Sequence, residues 1–93
     1  MKVWFAVSEE VKDAYACSSE KEAVAEAKKR TMEAAQTTTV EIWTFPDMAK
    51  KDVLINLYRG LIKIEKKKKH RFMPSGRKKR DGTWSAIKVA VDL

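Results

Sequence analysis

Residues 37–45 read TTTVEIWTF. The run is β-branched and aromatic almost throughout and ends against Pro46, which is the composition of a strand with a hard stop. Val40, Ile42 and Thr44 alternate with Glu41, Trp43 and Phe45, so the two sets belong to opposite faces of a sheet. Upstream, Ser19-Glu20-Lys21-Glu22 has the form of a capping box: the serine hydroxyl accepts from the third helical amide while Glu22 reaches back. The stretch behind it, AVAEAKKRTMEAA (23–35), is rich in strong helix formers. Glu26 and Arg30 stand four residues apart in the favourable order. The inner face of this helix is expected to be Val24, Ala27, Thr31 and Ala34 or Ala35, small enough to let a helix lie close to a sheet. A strand preceded by a capped helix therefore anchors the reading.

Working outward, residues 2–7 (KVWFAV) carry large apolar groups on both faces and read as an inner strand. Ser8–Asp13 turns the chain, and Ala14–Ser18 returns as a second strand. After Pro46-Asp47 a second helix is expected, capped by Asp47 or Asp52, with Val53, Leu54, Leu57, Tyr58 and Leu61 on one face and Gly60 as its stop. Beyond Gly60 the period falls to two. Ile62 and Ile64 alternate with Lys63 and Glu65 toward Phe72, and Thr83–Leu93 alternates again. Between these strands lie Pro74-Ser75-Gly76 and Asp81-Gly82, the second a strong hairpin-turn dipeptide. The fold class is α+β, in the order β-β-α-β-α-β-β: two helices packed on a mainly antiparallel sheet with a C-terminal basic hairpin, all in a single domain over 1–93. Its core is expected to rest on Trp4, Phe5, Trp43, Phe45, Leu54, Leu57, Trp84 and Ile87.

Charge is distributed unevenly along this plan. Residues 1–62 hold nine Lys/Arg and ten Asp/Glu, residues 63–93 hold eleven and three, and together they give the net +7. Within Lys63–Arg80, KIEKKKKHRFMPSGRKKR, ten cations face Glu65 alone. Lysines at a sheet edge often serve only to deter edge-to-edge pairing, but that task needs one or two. Such density predicts a partner of opposite sign. The arginines add forks that match phosphate oxygens.

Catalytic chemistry has little to stand on. His70 lies among cations that disfavour its protonated form, with no carboxylate adjacent in sequence. Cys17 falls in a strand and is expected to be a small buried hydrophobe; one cysteine suits a reducing cytoplasm. One histidine and one cysteine do not make a structural zinc site, and the Walker spacing is missing around Gly76-Arg77-Lys78-Lys79-Arg80. The expectation is therefore a protein that is not an enzyme, with no catalytic residues, no metal and no cofactor.

What the residues do support is polyanion binding. The candidate contacts are Lys63, Lys66, Lys67, Lys68, Lys69, His70, Arg71, Arg77, Lys78, Lys79 and Arg80, which could neutralise phosphates and release counterions. Phe72 and Trp84 flank them as candidates for stacking on unpaired bases, though each also suits a core position. Zinc-finger spacing, a recognition helix and RRM motifs are not found, so contact is expected to follow backbone or shape rather than sequence.

The opening MKVWFAV, the helix start SSEKEA (Ser18–Ala23) and the strand VEIWTF resemble small phage-encoded early or accessory proteins, counter-defence (anti-CRISPR-like) proteins among them. The likeness spans roughly residues 1–60. It implies a short α+β body that acts by binding a host protein or nucleoprotein, and it transfers no residue role. The basic segment departs from counter-defence proteins that imitate DNA with acidic surfaces.

The expected partner is thus nucleic acid, RNA or DNA, or a nucleoprotein complex, met in the cytoplasm (the host's, if phage-encoded). The alternatives are an acidic patch on a host or defence protein, anchored by Trp43, Tyr58 or Trp84, and a ribosome-associated structural role. No apolar run approaches the roughly 18 residues of a membrane span, so no membrane partner is expected. The oligomeric state is left open.

Overall fold

The computed structural model describes residues 1–47, 49–60 and 63–91. Its elements run β1 (Lys2–Ser8), β2 (Ala14–Cys17), α1 (Glu20–Ala34), β3 (Thr38–Thr44), α2 (Lys50–Tyr58), β4 (Glu65–Lys78) and β5 (Trp84–Val89). This is the expected α+β order. The strands form one antiparallel sheet in the spatial order β2-β1-β3-β4-β5. As its apolar groups on both faces suggest, β1 is an inner strand.

One face of the sheet carries α1. Ser19 caps it, its hydroxyl accepting from the Glu22 amide at 3.1 Å. Glu22 reaches back one residue further than the capping-box reading has it, accepting from the Ser18 amide at 3.1 Å and from the Ser18 hydroxyl. The Glu26–Arg30 pair forms at 3.2 Å, and Arg30 also reaches Asp13 at 3.0 Å. The buried face is Ala23, Ala27 and Thr31, with Val24 partly buried and packed beside them. Ala34 is exposed, because the helix ends there and Ala35 turns into the left-handed region at φ 54°.

The core under α1 differs from the expected one. Its buried members are Ala6, Cys17, Ala23, Ala27, Val40 and Phe72, with Trp4 and Ala86 packed against them. Alanines on both the helix and β1 bring the backbones close, and one large ring fills the remaining space. Cys17 is buried, as read. Around this cluster Thr31 and Thr38 are satisfied locally, whereas the buried Ser8 hydroxyl has no hydrogen-bond partner among the described residues. Thr38 Oγ1 donates to the Ala27 carbonyl at 2.9 Å and lies 2.8 Å from Thr31 Oγ1, which donates to the Gln36 carbonyl at 2.8 Å.

The large aromatics expected in that core sit on the opposite face. Phe5 and Trp43 stack there with centroids 3.9 Å apart, and Phe45 lies beside Trp43. Val3, Phe5, Ala16 and Phe45 form one wall of an apolar cavity of about 610 Å³, and Val53, Leu54 and Leu57 of α2 form the other. Tyr58, expected on that helix face, is 94% exposed. Ala49 occupies the N-cap of α2 without a side-chain bond, so neither Asp47 nor Asp52 is the cap. Gly60, at φ +70°, ends the helix as anticipated; Leu61 and Ile62 lie outside the described residues. No helix among the described residues is long and apolar enough to cross a membrane.

The largest departure is β4. Pro74-Ser75-Gly76, expected as a loop, lies within the strand. Register explains it. Pairing with β3 ends at Thr38–Phe72, whereas pairing with β5 runs from Arg71–Val89 to Lys78–Trp84. Beyond Phe72 the strand has no β3 neighbour, so the amide hydrogen that proline lacks is not required there. Irregular register between Pro74 and Lys78 absorbs the glycine. β5 is shorter than the Thr83–Leu93 reading; Asp92 and Leu93 lie outside the described residues.

Candidate nucleic-acid interface

The cationic stretch is a single long strand. Lys63 is exposed just before it, and Lys66–Lys69 occupy its first half. Strand alternation then divides the run between two faces of the sheet. Lys66 pairs with Trp43, Lys67 with Ile42 and Lys68 with Glu41, so Lys67 points to the α1 side and its neighbours to the other. A bulge falls at Lys69, where the register steps from Glu41–Lys68 to Val40–His70. All four lysines are exposed. The Lys66 ammonium lies 4.1 Å from the Trp43 ring centroid, a cation–π contact on the side facing β4.

Past the bulge the character changes. His70 Nε2 lies 2.8 Å from Glu20 Oε1 at the start of α1. Arg71 donates from Nε and Nη2 to the two carboxylate oxygens of Glu9, each at 3.0 Å. Phe72 is 3% exposed in the core. Three of the candidate contacts thus have structural employment: His70 and Arg71 pin β4 to α1 and to the β1–β2 turn, and Phe72 offers no ring face to a base. The stacking role for Phe72 is therefore corrected. Glu9 and Glu20 were missed in the sequence because they stand 62 and 50 residues from their partners. No local pattern reveals such pairs.

The rest of β4 leaves the sheet with β5 as a two-stranded ribbon. Arg77, Lys78, Lys79 and Arg80 crowd its far end, all exposed. The turn is closed by the Lys79 amide donating to the Thr83 carbonyl at 2.6 Å and the Gly82 amide to the Lys79 carbonyl at 3.0 Å, with Gly82 at φ +88°. A side chain would be strained in that conformation, so glycine is required. Asp81 accepts from the Thr83 hydroxyl and amide, and these bonds hold its carboxyl below the usual range. Ser75 Oγ accepts from the Ser85 amide at 3.1 Å and donates to the Arg77 carbonyl at 3.1 Å, tying the irregular step together. Trp84 is half-buried with the Lys78 ammonium 5.2 Å from its centroid.

Among the described residues, ion pairs form at Arg30 and Arg71, and His70 is held by its contact with Glu20. Lys66–Lys69 and Arg77–Arg80 form none. Neighbouring ammonium groups on one strand face, ~7 Å apart, repel by only about 0.6 kcal/mol each in water. The sheet tolerates that easily, but the sum over eight cations favours an approaching anion. Along Glu65–His70 the flank away from β3 has no strand partner among the described residues. Lysines there also deter pairing with another chain, the simpler role anticipated above.

Elsewhere the side chains offer little reactive chemistry. The Cys17 thiol is pushed up by burial, with the Glu22 carboxylate adding to it, so a nucleophilic thiolate is disfavoured. Among the described residues no three His, Cys, Asp or Glu side chains gather as a metal site would. Compared with known proteins, the chain matches no family model, no curated protein and no solved structure.

Proposed function

We propose that this is a non-enzymatic binding protein whose basic hairpin docks on nucleic acid or on a nucleoprotein complex, acting in the cytoplasm. The observation that carries the reading is the row of eight exposed, unpaired cations, Lys66–Lys69 and Arg77–Arg80, on one continuous strand and its turn. Edge protection accounts for one or two of these lysines. It does not account for two arginines and two lysines consecutive around a tight turn, where guanidinium forks suit phosphate oxygens. Ordered β-pairing on both sides of the irregular step holds the array in place before any partner arrives, which lowers the entropy lost on docking.

The test is a titration of labelled RNA and DNA at rising salt. If all eight cations meet phosphates, log affinity should fall against log salt with a slope near about −7; four contacts give about −4. Charge reversal at Lys67, Lys69, Lys78 and Lys79 should abolish binding while the far-ultraviolet spectrum is unchanged. Binding that survives reversal refutes the assignment. Recovery of a protein partner from nuclease-treated extract, with no affinity for nucleic acid, would replace it by the acidic-patch alternative.

A further inference from the structure

We infer that the open flank of β4, Glu65–Lys68, takes up an extended acidic segment of a partner protein as an added strand of the sheet. This goes beyond the nucleic-acid reading. It gives the first half of β4 a protein ligand and leaves Arg77–Arg80 at the turn to nucleic acid, the two components that a nucleoprotein complex presents together.

Three observations carry it. The first is the backbone. β4 pairs with β3 through Glu65–Phe72 but with β5 only from Arg71 to Lys78. β5 ends at Val89, and Ala90 and Val91 after it are not in strand conformation. The β5 side of Glu65–His70 therefore presents amides and carbonyls with no strand partner among the described residues. Phosphates only accept hydrogen bonds, whereas a peptide backbone both donates and accepts at strand spacing and so matches that row in full. The regular stretch before the bulge at Lys69 is four residues, the length over which β2 already joins β1 in this sheet.

The second is where the lysines point. Lys66 and Lys68 stand opposite Trp43 and Glu41 on the face away from α1, and Lys67 stands opposite Ile42 on the α1 side. All three are exposed. A rod of phosphates laid against either face meets only the cations of that face. A strand added in the plane of the sheet sends its own side chains to both faces, each within reach of a lysine across the pair.

The third is the contrast with the other edges. The outer edges of β2 and β5 also have no strand partner among the described residues. β2 (AYAC) carries no charge, however, and β5 (WSAIKV) carries Lys88 alone. The β3 side of Met73–Lys78 is interrupted by Pro74 and the irregular step. Among the described residues, the Glu65–Lys68 flank alone combines open, regular backbone with cations at consecutive positions. Those lysines repel a like-charged strand, a second copy of this one included, and attract an acidic one. Edge protection and choice of partner then come from the same side chains.

The experiment titrates the full chain with an end-blocked peptide of about eight residues, half glutamate and half valine or threonine, a composition that favours extended backbone. The comparison is the same peptide with its backbone amides methylated, which keeps every charge and removes the pairing donors. The parent peptide should bind at least tenfold more tightly than the methylated one and should slow hydrogen exchange at amides within Glu65–Lys68. Lys66→Gln, Lys67→Gln and Lys68→Gln together should weaken its binding at least tenfold. Replacing Arg77–Arg80 with glutamine should change it less than threefold. Equal affinity for the two peptides, or equal losses from the two sets of substitutions, would overturn the inference, because charge alone would then account for binding. Nucleic acid bound without any binding of the peptide would overturn it and leave the nucleic-acid reading standing. Peptide bound in the expected way without any affinity for nucleic acid would do the reverse.

Discussion

Replacing Phe72 separates the two roles open to a ring inside a cationic strand. In the structure it is 3% exposed and packs among Ala6, Ala23, Ala27 and Val40. Those neighbours are small and fixed to a helix and two strands, so they cannot move in to fill a void. Phe72→Ala should then cost about 3–5 kcal/mol. That is a large share of the ~5–14 kcal/mol expected for a domain of this length. At about 4–8 °C per kcal/mol the melting temperature would drop by at least ~12 °C. Phe72→Leu keeps most of the volume and should cost about 1 kcal/mol, hence ~4–8 °C. Circular-dichroism melts measure both shifts. Under the proposed function, nucleic-acid affinity of the leucine variant, taken well below its melting point, should stay within twofold of the parent. A leucine variant that melts like the parent but binds tenfold more weakly would show that the ring meets the ligand, and the assignment of Phe72 to the core would fail.

Two further outcomes follow from the polar contacts. Thr38→Val keeps the shape of the side chain but removes the hydroxyl that donates to the Ala27 carbonyl; denaturant unfolding should show a loss of about 0.5–1.5 kcal/mol. Burial opposes ionisation of Glu10, but the bonds its carboxylate accepts from the Thr37 amide outweigh that and hold its carboxyl below the ordinary range. Its contribution is therefore complete above the unfolded-state carboxylate range and is lost as pH falls through the folded value. The stability gap between the parent and Glu10→Gln should narrow as pH drops from neutral into the acid range, and a gap independent of pH would refute the assignment.

Local signals made much of the fold legible. The Ser19 cap, the Glu26–Arg30 pair and the alternation of Val40–Trp43 act within a few residues, and the structure keeps all three. What stayed hidden depends on register. Alternation divides Phe5 and Trp43 from Ala6 and Val40 but does not say which face α1 will cover. It covers the alanine face, because alanine lets backbones approach, while the aromatics line the side of α2. Pro74 reads as a strand breaker until its position past the end of β3 is known. The cationic candidates were legible by charge alone, and Arg77–Arg80 stand exposed as expected. The division of labour within the run was not, since Glu9 and Glu20 reach Arg71 and His70 only through tertiary pairing.

The flank of Glu65–His70 that has no strand partner among the described residues gives dissolved ions two effects on this molecule. Ammonium groups along such a flank oppose the docking of a second copy by long-range repulsion. Raising ionic strength shortens the reach of that repulsion from about 10 Å at 0.1 M to about 3 Å at 1 M. The same change that would release a polyanion under the proposed function therefore weakens this repulsion along the strand. Self-association at high salt should begin at this flank, and a concentrated stock kept free of nucleic acid will remain dispersed best in dilute buffer.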